Sequence, residues 1–277
     1  MRNQLVLANK TGIFSDGRST FRGPNPFQWI IFAIVAALLP AANFTIAVAQ
    51  NPDPVALIKK AEERIKGKTS HGIFQLTVTT PDYHRKMKME SWWVGSQKAL
   101  IKMLAPKREQ GNRTLKKGTE VWMYLRNTET TIKIPPSMML QSWNGSDYTY
   151  DDLVRESTLS RDYYITRAGE DTVAGVPCFK LKLIPKPDVP VVWGKLLYWV
   201  RKKDYLPARV EYFDEKGKLM RTMEFDTYRK MGGRKIPTRW IMHNAAKPGH
   251  STLMKILKIQ FDIPIPNRIF SLRELER

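Results

Sequence analysis

Cysteine is nearly absent from this chain. Its 277 residues contain one, Cys178, so no intramolecular disulfide is possible. The thiol sits in V-P-C-F-K-L-K-L among strand residues, a setting for a buried, inert side chain rather than a nucleophile. Histidine is scarce too. His71, His84, His243 and His250 stand in no metal-ligand spacing with one another, with Cys178 or with clustered carboxylates. No G-x-S-x-G elbow and no phosphate loop occurs. Asp151-Asp152 is an adjacent carboxylate pair, but neighbours on a helix point in different directions, so first-turn capping suits it better than acid–base work. Gly145-Ser146-Asp147 has the composition of a turn. No enzyme, metal or cofactor is therefore expected. Gly/Ser linkers and internal repeats are also missing, which leaves residues 50–277 as one domain with room for a sizeable core.

Acidic residues are outnumbered. There are 46 Lys and Arg against 26 Asp and Glu, a formal net charge of +20. Residues 1–49 hold Arg2, Lys10, Arg18 and Arg22 against Asp16, so most of the excess lies in 50–277. A charge of one sign favours anionic partners such as phospholipid headgroups and transient membrane-surface contact. Nucleic acid is not expected, because there is no basic run or recognised motif and the chain carries an export signal.

Only one long apolar run is present, from Phe27 to Gln50. Its core, Trp29–Leu39, has the length of a signal-peptide h-region, and Ala47-Val48-Ala49 is a small-x-small cleavage site. Residues 1–49 thus form a signal peptide with a long n-region, cut after Ala49, and the destination is the periplasm. The competing reading is an uncleaved anchor; Pro40 and Asn43 interrupt the run and argue against it. Residue 50 is not cysteine, so the cut chain is not lipid-anchored in the bacterial lipoprotein manner.

Most of the remainder alternates with a period of two. Met87, Met89 and Trp93 lie opposite Lys86, Lys88 and Glu90. Ile101 and Met103 lie opposite Lys102. Val121, Met123 and Leu125 lie opposite Trp122 and Tyr124. Similar runs put Tyr198, Tyr212, Met223, Phe225, Trp240 and Met242 on one dry face. Turn signals such as Gly232-Gly233 and Lys247-Pro248-Gly249 separate the runs, so neighbouring strands should be antiparallel. Helical signal is limited to three places. Asp53-Pro54 opens a stripe of Val55, Ile58, Ala61 and Ile65 that Gly67 stops. Tyr150–Ser157 and Leu272–Glu276 are short. The expected class is mainly β with a few helices: about ten to eleven antiparallel strands in one sheet. The dry face must be hidden, against a second sheet in a sandwich or against itself in a curled sheet; Met and aromatic residues at strand spacing are ordinarily plain core, while the scarcity of covering material leaves room for a cavity.

The stretch Gly111–Leu153 carries more specific information. G-N-R-T-L-K-K-G-T-E-V-W-M-Y-L leads to T-I-K-I-P-P, then to W-N-G-S-D-Y-T-Y-D-D-L. This order resembles the outer-membrane lipoprotein-sorting proteins, the LolA-like periplasmic carriers. Gly118, Val121, Trp122 and Tyr124 match that family's turn and strand, and Gly145–Asp147 with Tyr150–Leu153 match the lid of one branch. The resemblance implies a half-open, strongly curved barrel whose apolar cavity is covered by helices and a lid, here about residues 135–165. It implies a carrier that binds acyl chains of lipoproteins or lipids and moves them toward the outer membrane, between an inner-membrane donor complex and an outer-membrane acceptor or exporter. The cavity residues implied are Met87, Met89, Trp93, Ile101, Met103, Val121, Met123, Leu125, Tyr198, Tyr212, Met223, Phe225, Trp240 and Met242. The lid would present Met138, Met139, Leu140 and Trp143, with Arg113 the candidate lid-locking arginine. The alternative is a periplasmic interaction module that works with an envelope-stress regulator or an exporter.

Overall fold

The structure, a computed structural model, describes residues 52–155, 159–189 and 191–277. The export-signal reading of residues 1–49 lies outside the described residues. The chain first forms α1 (Pro54–Lys66), for the reasons its sequence offers. The Asp53 carboxylate accepts a hydrogen bond from the Ala56 N–H at 2.9 Å, and Pro54 stands where no donor is needed. Leu57, Ile58, Ala61, Glu62 and Ile65 are buried. Each fully buried Leu or Ile contributes about 1.5–3 kcal/mol, and this stripe packs α1 against one side of the sheet.

That sheet contains thirteen strands among the described residues. They are β1 (Thr69–Thr79), β2 (His84–Val94), β3 (Lys98–Ala105), β4 (Arg113–Lys117), β5 (Glu120–Leu125), β6 (Thr130–Lys133), β7 (Tyr163–Val173), β8 (Val176–Pro185), β9 (Lys195–Arg201), β10 (Pro207–Phe213), β11 (Leu219–Met231), β12 (Arg234–Asn244) and β13 (Ser251–Phe261). Every pairing is antiparallel, in the order β6-β5-β4-β3-β2-β1-β13-β12-β11-β10-β9-β8-β7. The sheet is not closed: β6 and β7 are its two edges. The result is the curved, half-open barrel that the resemblance implies, not a two-sheet sandwich.

Two strands exceed the ten or eleven expected. Arg113, Thr114, Leu115 and Lys116 of β4 are all buried, so no in–out pattern shows in the sequence. Strand β7 is a mostly exposed edge, and an edge that buries little has no apolar face to announce it.

Register carries the inner face across the sheet. Leu181, Tyr198, Val210, Met223, Met242, Thr252 and Val78 stand side by side on seven successive strands in sheet order. The outer face is not uniformly wet. Leu100, Leu115 and Tyr124 pack there with Phe270 and Leu275, contributed by the final turn and α4 (Leu272–Glu276). Between β6 and β7 the chain runs through short 3-10 turns, then α2 (Tyr150–Arg155) and α3 (Leu159–Asp162).

Candidate functional site

The curl of the sheet, α1 and the segment between β6 and β7 enclose an apolar cavity of about 160 Å³. Met89, Trp93 and Ile101 line it from β2 and β3. Tyr198, Tyr212, Met223, Phe225 and Trp240 line it from β9 to β12, and Met254, Ile256 and Ile259 from β13. Phe225 and Trp240 meet edge to face with centroids 5.5 Å apart. The Trp240 indole N–H donates to the Pro237 carbonyl at 3.0 Å, which satisfies its polar end within the strand.

Six residues expected in the cavity lie elsewhere. Met87, Met103, Val121 and Met242 are buried in the surrounding core without lining the space. Met123 packs against that core, and its sulfur accepts from the Tyr150 hydroxyl at 3.5 Å. Leu125 is half-buried near the end of β5. Inward orientation alone does not bring a side chain to the cavity: toward the β5 end of the sheet, lid side chains fill the space instead.

The lid is built on hydrogen bonds that its sequence supplies. Thr149 and Asp152 form a reciprocal capping box at the start of α2. The Asp152 carboxylate accepts from the Thr149 N–H at 2.7 Å, and the Thr149 hydroxyl accepts from the Asp152 N–H at 3.2 Å. Asp151 N–H donates to the Met139 carbonyl at 2.8 Å. Trp143 is buried and lines the cavity; its indole N–H donates to the Thr114 hydroxyl at 3.2 Å. Met138 and Met139 pack on the core from outside the cavity, and Leu140 is exposed. Gly145 has φ +65°, and a Cβ there would stand 3.1 Å from the Arg85 guanidinium. That guanidinium also donates to the Asn144 carbonyl, so the turn needs glycine both for its backbone and for its space.

Three strands then clasp the lid. Thr252 on β13 donates to the Asp147 carboxylate at 2.7 Å and accepts from the Asp147 N–H at 2.9 Å. Asn244 on β12 donates to the other Asp147 oxygen at 3.0 Å. Arg221 on β11 donates to the Asp147 carbonyl at 3.2 Å and forks onto both oxygens of the Asp152 carboxylate. Register explains the convergence, because Arg221 stands between Tyr212 and Asn244 in one row of the sheet. Its guanidinium is 4.3 Å from the Tyr212 ring centroid and 4.4 Å from that of Trp193. Burial is the largest single influence and would lower the Arg221 pKa, but the charge and hydrogen bonds of Asp152, with Tyr212 and Tyr148 nearby, together outweigh it and hold the group above its ordinary value. Burial pushes the Tyr150 phenol up.

Arg113 does not lock the lid. Its guanidinium donates to the carbonyls of Glu274 and Leu275, at 2.6 and 3.3 Å, and ties α4 to the outer face. The residue expected there lies one face away because β4 turns Arg113 outward, toward Tyr124. Arg221 was legible in principle: it stands two residues before Met223 and four before Phe225, so the same alternation points its charge inward.

Among the described residues, no group of three or more His, Cys, Asp or Glu side chains is placed to hold a metal ion, and no helix is long and apolar enough to cross a membrane.

No curated protein sequence matches the chain. Solved structures do. A DUF1329 family protein from Desulfovibrio piger is similar with a TM-score of 0.74 and 20% identity, over 81% of this chain and 100% of that one. A LolA superfamily protein from Nitrosomonas europaea gives 0.70 and 19%, over 81% and 100%. A domain described as an outer membrane lipoprotein-sorting protein from Vibrio parahaemolyticus gives 0.71 and 22%, over 81% and 98%. A family model described as an uncharacterized protein matches residues 95–277, more than half of the sequence. The chain belongs to that family, and its fold is the LolA-like half-barrel.

Proposed function

We propose that this protein is a periplasmic carrier that shelters acyl chains of a lipid or lipoprotein from water and hands them on, without catalysis. The observation that carries the reading is the apolar cavity, walled by one unclosed sheet and shut by a lid that β11, β12 and β13 clasp. Each buried acyl CH₂ contributes about 0.8 kcal/mol, so a modest length of chain already gives useful affinity. An apolar cavity of about 150 Å³ suits a ligand the size of one benzene ring, and the space here is similar at about 160 Å³. The closed state therefore fits part of one chain. A larger cargo requires the lid to move, which makes the clasp a gate between loading and transport.

The outward excess of basic residues supports contact with anionic membrane surfaces during loading and delivery. The test is native mass spectrometry of the exported protein, isolated from a bacterial periplasm without detergent. Stoichiometric phospholipid or acylated peptide is the expected result. A clean apo mass that also takes up no added fatty-acid probe would overturn the carrier reading.

A further inference from the structure

The outer face of the sheet is covered unevenly. Over β3, β4 and β5 it carries the second core, with Phe270 and Leu275 packed on Leu100, Leu115 and Tyr124. Over β2, β1 and β13 it carries lysines instead. Lys86 and Lys88 on β2 and Lys255 and Lys258 on β13 are all exposed. Lys88 and Lys255 are the two cross-strand neighbours of one residue, Gln75. Their backbones are therefore two strand spacings apart, about 9.6 Å, a separation that physiological salt screens only in part. The carboxylates of this face are engaged by other groups. Glu90 shares a hydrogen bond with His71 Nε2 at 2.8 Å, Asp226 pairs with Arg239 at 3.4 Å, and Glu224 is half-buried on β11. Among the described residues the four lysines thus have no carboxylate partner. A β-bulge sets a leucine among them. Ile73 pairs with Lys258 but Phe74 with Ile256, so Leu257 is the extra residue. Ile256 and Ile259 both line the cavity, and Leu257 between them is 45% exposed. Strand β13 is the seventh of thirteen in the sheet order. This face is the back of the curl, and the cavity and the lid lie on the other side of the sheet.

We propose that the back of the sheet docks on an anionic lipid bilayer, with Leu257 entering the interface, Lys86, Lys88, Lys255 and Lys258 on headgroup phosphates, and the lid turned away. The proposal rests on the membrane-contact part of the reading above and gives it a face and an orientation; it needs nothing from the cavity. Charge complementarity supplies the first argument, since four uncompensated ammonium groups on one face attract an anionic leaflet. The ringed leucine supplies the second. A bilayer accepts an apolar side chain below its headgroups while the surrounding lysines lay their stems on the interface and keep their charges in water. A soluble polyanion would leave Leu257 in water. A protein partner fits poorly, because a stable protein interface engages about 20–30 residues a side and is depleted in lysine.

The experiment is cosedimentation of the exported protein with phosphatidylcholine vesicles, with and without phosphatidylglycerol, at rising salt. Binding that requires phosphatidylglycerol and weakens with salt is expected. Lys88→Glu with Lys255→Glu should weaken it at least about twentyfold, because each lysine near an anionic leaflet contributes about a factor of five. Lys86→Glu with Lys258→Glu should do the same, and serves if the first pair fails to fold. Lys59→Glu with Lys230→Glu makes the same charge change at exposed sites elsewhere and should keep most of the affinity; an equal loss reduces the effect to net charge and overturns the face. Leu257→Ser should weaken vesicle binding several-fold and leave binding of soluble inositol hexaphosphate unchanged. No loss on vesicles overturns the apolar anchor and, with it, the bilayer as occupant. Leu257→Cys and Leu140→Cys, each carrying an environment-sensitive dye, read the orientation, since Cys178 is buried and Leu140 is exposed on the lid. A blue shift on vesicles is expected at 257 and not at 140; the reverse overturns the orientation. Absence of binding to any vesicle overturns membrane contact itself, whereas the acyl-carrier reading is decided separately by the native mass spectrum.

Discussion

Arg113 and Arg221 are both buried arginines that tie a helix-bearing segment to the sheet, one on each face. Arg113 holds α4 through two backbone carbonyls near the helix C-terminus, where the helix dipole already favours a cation. Arg221 holds the lid through a carboxylate and one carbonyl, with its guanidinium against two aromatic rings. The acceptors at Arg113 are neutral, and carbonyls freed by α4 can turn to water at the molecular surface. At Arg221 release leaves a guanidinium and a carboxylate that must both be rehydrated. The outer contact is a fixed seam. The inner one is a latch, costly to open and well defined when shut, because Asp147 is held independently by Thr252 and Asn244.

Four substitutions test this contrast. Arg221→Ala should have the largest effect. Removing one partner of a buried pair costs about 3–5 kcal/mol, so urea unfolding should shift by an amount of that order and residues 135–165 should become sensitive to protease. Unchanged protease resistance of the lid would show that Arg221 is not its latch. Arg113→Ala should cost less, about 1.5–3 kcal/mol for hydrogen bonds from a charged donor. It should expose the C-terminal residues to carboxypeptidase and leave uptake of a fatty-acid probe unaltered; impaired uptake would mean that the two faces are coupled. The smallest and sharpest difference is expected from the lysine variants. Arg113→Lys can still meet carbonyls with a point charge, whereas Arg221→Lys loses the fork onto Asp152 and the stacking on Tyr212 and Trp193. Thermal unfolding of the two lysine variants should therefore rank Arg221→Lys as the less stable. Equal midpoints would remove the distinction between seam and latch.

Much of this arrangement was legible in the residues. Alternation placed Met89, Phe225 and Trp240 on the inner face, and Asp53-Pro54 with Gly67 bracketed α1 closely. The order of motifs from Gly111 to Leu153 pointed to the half-barrel and to a lid between Pro135 and about residue 165. What alternation does not encode is how deep a space lies above each inward position. Met87 and Met89 occupy the same face of β2, yet only Met89 reaches the cavity. Polar residues at inward positions were the other gap. Ser91 and Arg221 break an apolar row, and a pattern sought in hydrophobic residues passes over its own interruptions. Glu62 is similar: it adjoins the apolar stripe of α1 without belonging to it, and is buried nonetheless. The second core on the outer face, around Leu115 and Phe270, depends on the last residues folding back across β4 and β5, a long-range docking with no local signal.

Strands β6 and β7 are the two free edges, and they are also consecutive in the chain, joined by the lid itself. The lid is thus a drawstring threaded between the two margins of an open purse. On the proposed carrier reading, a cargo that spread the margins would pull the cord from both ends at once, toward the knot that Arg221 and Asp152 tie at its middle.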